Sequence, residues 1–353
     1  MDESIENELK KMSKLLPGIF VCLIIAVPSW FLGRGFPIIG APVVSILIGI
    51  ICTIIFPSLT SHTLFGTISL DAGIKYTTKK LLQYSIVLLG FEMNLFKVAQ
   101  VGGQSIFTLV FVLATAFAVA YIIGRFLKLP SNTVTLIGVG TAICGGSAIA
   151  ATAPIINAKH EDVARSISTI FLFNVAAILI FPTLGRIAGM SDLSFGMWAG
   201  MAINDTSSVV AAGTSWSNAA GNNTALHFAT LVKLIRTLMI IPVTLFLAIY
   251  VSRKQKRANA VEFNFAKVFP WFVVFFVVAA VINTFAQIPS EVTREMASVG
   301  KFVIVMAMAG IGLSTNLKSL LANGIKPILL GLCCWVSVAA VSIIILSIFN
   351  TLL

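Results

Sequence analysis

The chain has 353 residues, of which 58% are hydrophobic and only 10% are charged. A soluble domain carries about 25% charged residues, so composition excludes a soluble enzyme and points to an all-α, polytopic membrane protein whose first partner is the lipid bilayer. The net charge of +11 would suit nucleic acid in a soluble chain, but here the basic residues sit in short loops as topology signals, and no nucleic-acid partner is expected.

Met1 to Lys14 is polar and of mixed charge. The apolar stretch after it has no small-residue cleavage site and reads as a first span rather than a signal peptide. Apolar runs of spanning length, about 20 residues, predict about eleven transmembrane helices. They lie at roughly 15–33, 37–57, 81–98, 103–127, 132–156, 163–186, 195–215, 225–251, 267–287, 296–316 and 325–350. Leu70 to Lys80 is an amphipathic lead-in or an extension of the third. The short connections imply antiparallel neighbours, and residues 1–353 read as a single transmembrane transporter domain behind a cytoplasmic segment, 1–14. Basic residues gather in alternate loops, as at Lys10, Lys11, Lys14, Lys75, Lys79, Lys80, Arg125, Lys128 and the run Arg253 to Arg257. By the positive-inside rule this places the N-terminus in the cytoplasm and the C-terminus outside.

Two internal echoes appear. At an offset of 60, Gly140 aligns with Gly200, Ser147 with Ser207, Ala151 with Ala211 and Pro182 with Pro242. At an offset of 222, Gly90, Asn94, Leu95 and Gly102 align with Gly312, Asn316, Leu317 and Gly324, on helices of opposite direction, as in an inverted repeat. The echoes mark special positions without giving one repeat scheme.

Two stretches break otherwise apolar helices, and the chain is read around them. The first holds Cys144, Gly145, Gly146 and Ser147. Two glycines in a helix interior cost about 1 kcal/mol each relative to alanine. They let backbone approach a ligand or another helix, and Ser147 is placed to cap a restarted half-helix. The plainer reading is a small-residue packing seam. The second holds Asn204, Asp205, Thr206, Ser207 and Ser208. An aspartate at a membrane-helix centre costs roughly 2.5–3.5 kcal/mol on the insertion scale, so five polar residues there need partners. A long loop is the alternative, but the flanking apolar pieces are too short to span alone. Asn204 or Asp205 can cap the following helix, leaving three hydroxyls as donors. A restarting helix offers unpaired N–H groups and the positive end of its dipole, which together hold an anion.

The next helix carries Lys233 and Arg236, three apart and so on one face. Intramembrane charges are functional candidates. Either Asp205 pairs with one of them as a structural ion pair, or both cations join the half-helix termini in an anion site, where Arg matches an oxyanion with two parallel hydrogen bonds. His227, nearer the outer end, is a weaker candidate for a proton-linked switch. Glu92, beside Asn94 in the third span, is a candidate coupling residue. Ser314, Thr315 and Asn316 interrupt the tenth span, Ser314 and Thr315 reading as helix-end caps, and Lys159 to Asp162 reads as a solvated loop. Of the five cysteines, Cys22, Cys52, Cys333 and Cys334 read as filler, and only Cys144 falls in a break. The histidines His62, His160 and His227 are dispersed. No metal-ligand spacing, nucleophile–base pair, cofactor motif or nucleotide-binding loop is recognised, so no cofactor is expected.

The stretches GTAICGGSAIAATAP (140–154), INDTSSVVAAG (203–213), KLIRT (233–237), GFEMNL (90–95) and GIGLSTNL (310–317) resemble the YeiH-like family of bacterial membrane proteins. That family is classed, by inference, as sulfate exporters, and it is thought to be distantly similar to inverted-repeat transporters of the bile acid symporter and sodium/proton antiporter kind. The resemblance implies a multi-pass protein of the bacterial inner membrane that exports sulfate or a related sulfur oxyanion. Together with the residues, it gives as first expectation a secondary transporter of a small anion, sulfate or an organosulfonate, working by alternating access at a midplane site. The alternative is a cation/proton antiporter using Asp205. An enzyme is not expected, and a homodimer is one assembly open to such a chain.

Overall fold

A computed structural model describes residues 3–36, 40–56, 63–64, 68–255, 269–286, 288–315 and 324–348. Within them the order is α1 (Glu3–Gly35), α2 (Ala41–Ile55), β1 (Thr63–Leu64), β2 (Ile68–Ser69), α3 (Asp71–Tyr76), a π turn (Thr77–Leu81), α4 (Leu82–Gly90), α5 (Leu95–Phe126), α6 (Ser131–Ala142) and α7 (Gly146–Thr152). There follow α8 (His160–Ile187), α9 (Asp192–Ala202), α10 (Thr206–Ala220), α11 (Thr224–Leu238), α12 (Ile240–Gln255), α13 (Trp271–Ala286), α14 (Ser290–Leu313) and α15 (Ile325–Ile348). The two strands pair antiparallel over two residues each. His62, Asn316 and the basic stretch from Lys256 lie outside the described residues.

Six segments are long and apolar enough to cross a membrane among the described residues: 13–35, 105–126, 160–187, 224–251, 290–313 and 325–348. The other expected spans are α2 and α13, which are shorter apolar helices, the α3–α4 run, and the pairs α6–α7 and α9–α10. Outward apolar stripes fit this solvent. On α1, Leu16, Phe20, Ile24 and Phe31 are exposed while Cys22, Ala26 and Ser29 are buried, so the two faces differ in packing and not in polarity.

Several boundaries differ from the sequence expectation, the tenth span beginning at Ser290 and the seventh running on to Ala220, and two of the differences have side-chain causes. The third span ends at Gly90 instead of near 98, and the extension reading of Leu70 to Lys80 holds, through the π turn. Residues 91–94 form a turn because side chains cap it: the Leu95 amide donates to Thr284 Oγ1 at 2.8 Å, and Asn283 Nδ2 donates to the Met93 carbonyl at 3.2 Å. His160 to Asp162 is not loop but the first turn of α8. Asp162, 8% exposed, accepts a hydrogen bond from Thr133 Oγ1 at 2.7 Å on α6, and acidic residues suit a helix N-terminus. The helix-end reading of Ser314 and Thr315 matches the structure, where Ser314 ends α14 and Thr315 Oγ1 donates to the Ile311 carbonyl.

By packing, the chain resolves into two compact units, each built from three separated stretches. Unit 1 comprises 1–95, 210–223 and 272–317. In it α2 packs on α14 and α1, and α14 packs on α4. Ser45 Oγ donates to the Val305 carbonyl across the α2–α14 contact at 2.8 Å. Unit 2 comprises 96–209, 224–271 and 318–353. Its core runs through Leu136, Ile137, Ile149, Ile170 and Leu330, all nearly or wholly buried. Phe181 stacks on Trp198 with centroids 4.2 Å apart, and Trp198 Nε1 donates to the Ala339 carbonyl of α15 at 3.1 Å.

Within unit 2, α9 lies unusually close to α11, and glycine permits it. A Cβ at Gly196 would come 2.8 Å from the Ala225 carbonyl oxygen, and one at Gly200 would come 2.7 Å from Val232 Cβ. This small-xxx-small seam sets the distance at which α11 side chains reach the end of α9.

Candidate functional site

The two interrupted segments meet inside unit 2. α6 ends at Ala142 and α7 begins at Gly146; α9 ends at Ala202 and α10 begins at Thr206. The breaks at 143–145 and 203–205 are offset by 60, as the first echo indicates. A Cβ on Gly145 would lie 3.4 Å from Asp205 Cβ and 3.6 Å from Asn174 Nδ2 of α8, so the second break and α8 lie against the first. Gly145 has φ 69°, left-handed backbone that glycine adopts without cost. α6 already leaves helical geometry at Ile143, with φ −117° and ψ −93°, and Gly145 is the residue from which α7 starts.

Each break leaves carbonyls at the end of the first half-helix without intrahelical donors. Two side chains of α11 supply them. Lys233 Nζ donates to the carbonyls of Ile143 at 2.8 Å and Ile203 at 3.0 Å, and to that of Asn204. Arg236 Nε donates to the Ala142 carbonyl at 2.8 Å, Nη1 to that of Met201 and Nη2 to that of Thr141. Both side chains are 0% exposed. Buried cations are tolerated only with such partners, and here the partners are the negative ends of two helix dipoles. The i, i+3 spacing thus matters as expected, since one face of α11 reaches both breaks. The outcome of the two sequence readings is more specific than either. Among the described residues neither cation forms an ion pair with Asp205, and the guanidinium fork expected to face an oxyanion is engaged by backbone carbonyls.

Asp205 stands just before α10, and its Oδ2 accepts the Ser207 amide at 3.0 Å and the Ser207 hydroxyl. The capping role predicted for Asn204 or Asp205 therefore falls to Asp205, and Ser207 spends its hydroxyl on the cap. Thr206 is half-buried and Ser208 buried. Ser147 does not cap α7. It lies within the first turn, exposed, and the cap position is Gly145, which has no side chain. Gly146 is half-buried and Cys144 buried in the break. Glu92 belongs to unit 1, in the turn after α4, where its Oε2 accepts from Asn223 Nδ2 at 2.7 Å. His227 is half-buried on α11, six residues and so about 9 Å along the helix from Lys233.

Sequence reading named Asn204 but missed Asn174 and Thr141, and all three carry unpartnered polar atoms beside the crossing. Asn204 is 1% exposed and neither its Oδ1 nor its Nδ2 has a hydrogen-bond partner; Asn174 Oδ1 and Thr141 Oγ1 are buried and unpartnered as well. Each such group costs about 1–3 kcal/mol unless water or a ligand meets it. The signal for Asn174 is present in the sequence, as one amide in the middle of an otherwise apolar span. Among the described residues, no group of three or more His, Cys, Asp or Glu side chains is placed to hold a metal ion.

Comparison with known proteins places the chain. The family model described as "Conserved hypothetical protein 698" matches residues 17–331. A UPF0324 membrane protein of Fusobacterium nucleatum is 45% identical over 347 residues, covering 94% of this chain and 97% of the relative. A UPF0324 membrane protein of Streptococcus pyogenes is 47% identical over 332 residues, covering 93% and 95%, and one of Streptococcus pneumoniae is 46% identical over 330 residues with the same coverage. No solved structure gives a significant match. With most of its length matched at this identity, and with the motifs at both breaks inside the matched region, the chain belongs to the UPF0324 family of membrane proteins, the one its motifs resemble.

Proposed function

We propose that this protein is a secondary transporter, not an enzyme, and that it carries a small anion past the crossing of α6–α7 and α9–α10 by alternating access. The observation that carries the reading is the charge and hydrogen-bond balance there. Two fully buried cations stand against one half-buried carboxylate, next to two buried donors with no protein partner, the Asn204 amide nitrogen and the Thr141 hydroxyl. An anion among these groups gains from the surplus positive charge and satisfies the orphaned donors. Lys233 and Arg236 supply charge through space while their N–H groups hold the breaks. Interrupted helices near the bilayer midplane are where transporters place their substrates.

Sulfate and the small organosulfonates are the first substrates to test, with export as the direction. The excess of Lys and Arg in alternate loops supports an N-terminus in the cytoplasm of a bacterial cell and a C-terminus outside. The test is uptake of labelled sulfate, methanesulfonate and chloride into proteoliposomes holding the full chain, with and without a pH gradient. Saturable uptake of one oxyanion supports the reading. Absence of anion uptake together with sodium/proton exchange would overturn it in favour of the antiporter.

One observation favours that second reading: Asp205 lies beside Gly145 and Asn174 at the crossing, a position from which a carboxylate could carry a proton or cation. Asp205→Asn separates the two. The amide keeps the cap on Ser207, so anion uptake persists within a few-fold, whereas a cation carrier loses its exchange altogether.

A further inference from the structure

Unit 1 contains a cavity of about 350 Å³ that the crossing does not use. Its wall includes Trp30, Arg34, Glu92, Asn223, Arg294 and Lys301. These come from the end of α1, the turn after α4, the residues after α10 and the first half of α14. Part of the charge is balanced inside the wall. Lys301 Nζ donates to Asn223 Oδ1, and Asn223 Nδ2 donates to Glu92 Oε2 at 2.7 Å, a chain that joins the cation to the carboxylate through one amide. Arg34 and Arg294 are not balanced in this way. Among the described residues neither guanidinium has an ion-pair partner, and Arg34 lies over the Trp30 ring, 5.1 Å from its centroid. Trp30 is itself fixed edge-on against Phe302.

We propose that this cavity is a second oxyanion-binding site, taking a small sulfate, sulfonate or carboxylate between Arg34 and Arg294, with Lys301 behind them and Trp30, Ala41 and Ala297 as an apolar wall for an organic substituent. Guanidinium groups match tetrahedral and planar oxyanions with paired hydrogen bonds. Both guanidinium groups are exposed at the edge of the cavity, and a concave surface with one sign of charge in excess concentrates ions of the other sign. Glu92 also lines the cavity, where one carboxylate stands against the three cations Arg34, Arg294 and Lys301. The site rests on unit 1 alone and stands whether the crossing carries an anion or a cation.

The test uses thiol chemistry at the cavity wall of the full chain in detergent. Ser298, half-buried in the wall, is replaced by cysteine, and Asn218→Cys, at an exposed wall position, serves as a second reporter should the first fold poorly. The rates with an anionic (sulfonatoethyl) and a cationic (trimethylammonioethyl) methanethiosulfonate are measured against a free small thiol, with the unmodified chain giving the background of its own cysteines. The anionic reagent is expected to react at least about tenfold faster than the cationic one. Sulfate or methanesulfonate, but not chloride at equal ionic strength, should slow it in a saturable way. Adding Arg294→Gln should cut the preference about threefold or more and weaken the protection. Equal rates, a preference for the cationic reagent, or reactivity indifferent to both oxyanions would overturn the site, and none of these results depends on transport.

Discussion

Lys233 and Arg236 are what an isolated residue-by-residue reading gets half right. Their spacing and their place in an apolar helix mark them in the sequence as partners of the breaks. What the sequence does not carry is the identity of their acceptors, because a carbonyl left over by a helix break looks the same in sequence as one satisfied inside a helix. The physical reason for the arrangement is that two buried cations and two uncapped helix C-termini each need what the other supplies. Arg236→Ala leaves the carbonyls of Thr141, Ala142 and Met201 without their donor. We expect a loss of several kcal/mol, about 1–3 kcal/mol for each buried carbonyl left without a donor, read as a large fall in the midpoint of thermal unfolding in detergent. Arg236→Lys should recover only part of it, since an ammonium lacks the guanidinium fork that reaches the carbonyls of Thr141, Ala142 and Met201 together. An unchanged midpoint for Arg236→Ala would show that the guanidinium does not hold the breaks. Asp205→Ala removes the α10 cap and should cost about 1 kcal/mol, while Asp205→Asn should cost only a few tenths.

The elements were legible to different degrees. The two breaks were visible as polar and glycine-rich interruptions, and their offset of 60 residues recurs in the structure. The cap was misread at Ser147, because α7 starts from Gly145, two residues earlier, at a positive φ that suits glycine and supplies no side-chain acceptor. The end of the third span was missed, because Phe91 and Met93 continue the apolar pattern while Thr284 and Asn283, distant in sequence, cap the turn. The α9–α11 seam at Gly196 and Gly200 passed unremarked, since glycines four apart in an apolar helix are common. It has a sharp consequence. Gly200→Ala sets a methyl 2.7 Å from Val232 Cβ and 2.8 Å from the Ala229 carbonyl oxygen, whereas a Cβ on Gly146 meets nothing within 4 Å. We predict that Gly200→Ala destabilises by about 1–3 kcal/mol, as overpacking does, and that Gly146→Ala stabilises by about 0.5–1 kcal/mol, the helix propensity difference. Thermal unfolding of the two variants side by side checks both, and the same sign for both would contradict the packing described.

At the scale of the whole molecule, composition alone established a polytopic helical membrane protein. The assembly of each compact unit from three separated stretches was not legible, because interleaving depends on which helices pack and apolar helices advertise no partners. The same limit hid the cavity of unit 1: Arg34, Glu92, Asn223, Arg294 and Lys301 are scattered along the chain and only the fold gathers them. The central claim is that side-chain cations already occupy the carbonyl ends of the two interrupted helices, the place where other transporters bind a coupling sodium ion, and so leave the crossing with a positive surplus for an anion. The most direct measurement is uptake of labelled sulfate, with methanesulfonate as a second substrate, into proteoliposomes in which all sodium is replaced by choline. The account predicts uptake at the same rate, within about twofold, as in sodium-containing buffer. A strict requirement for sodium, or no uptake of either oxyanion under any condition, would contradict it.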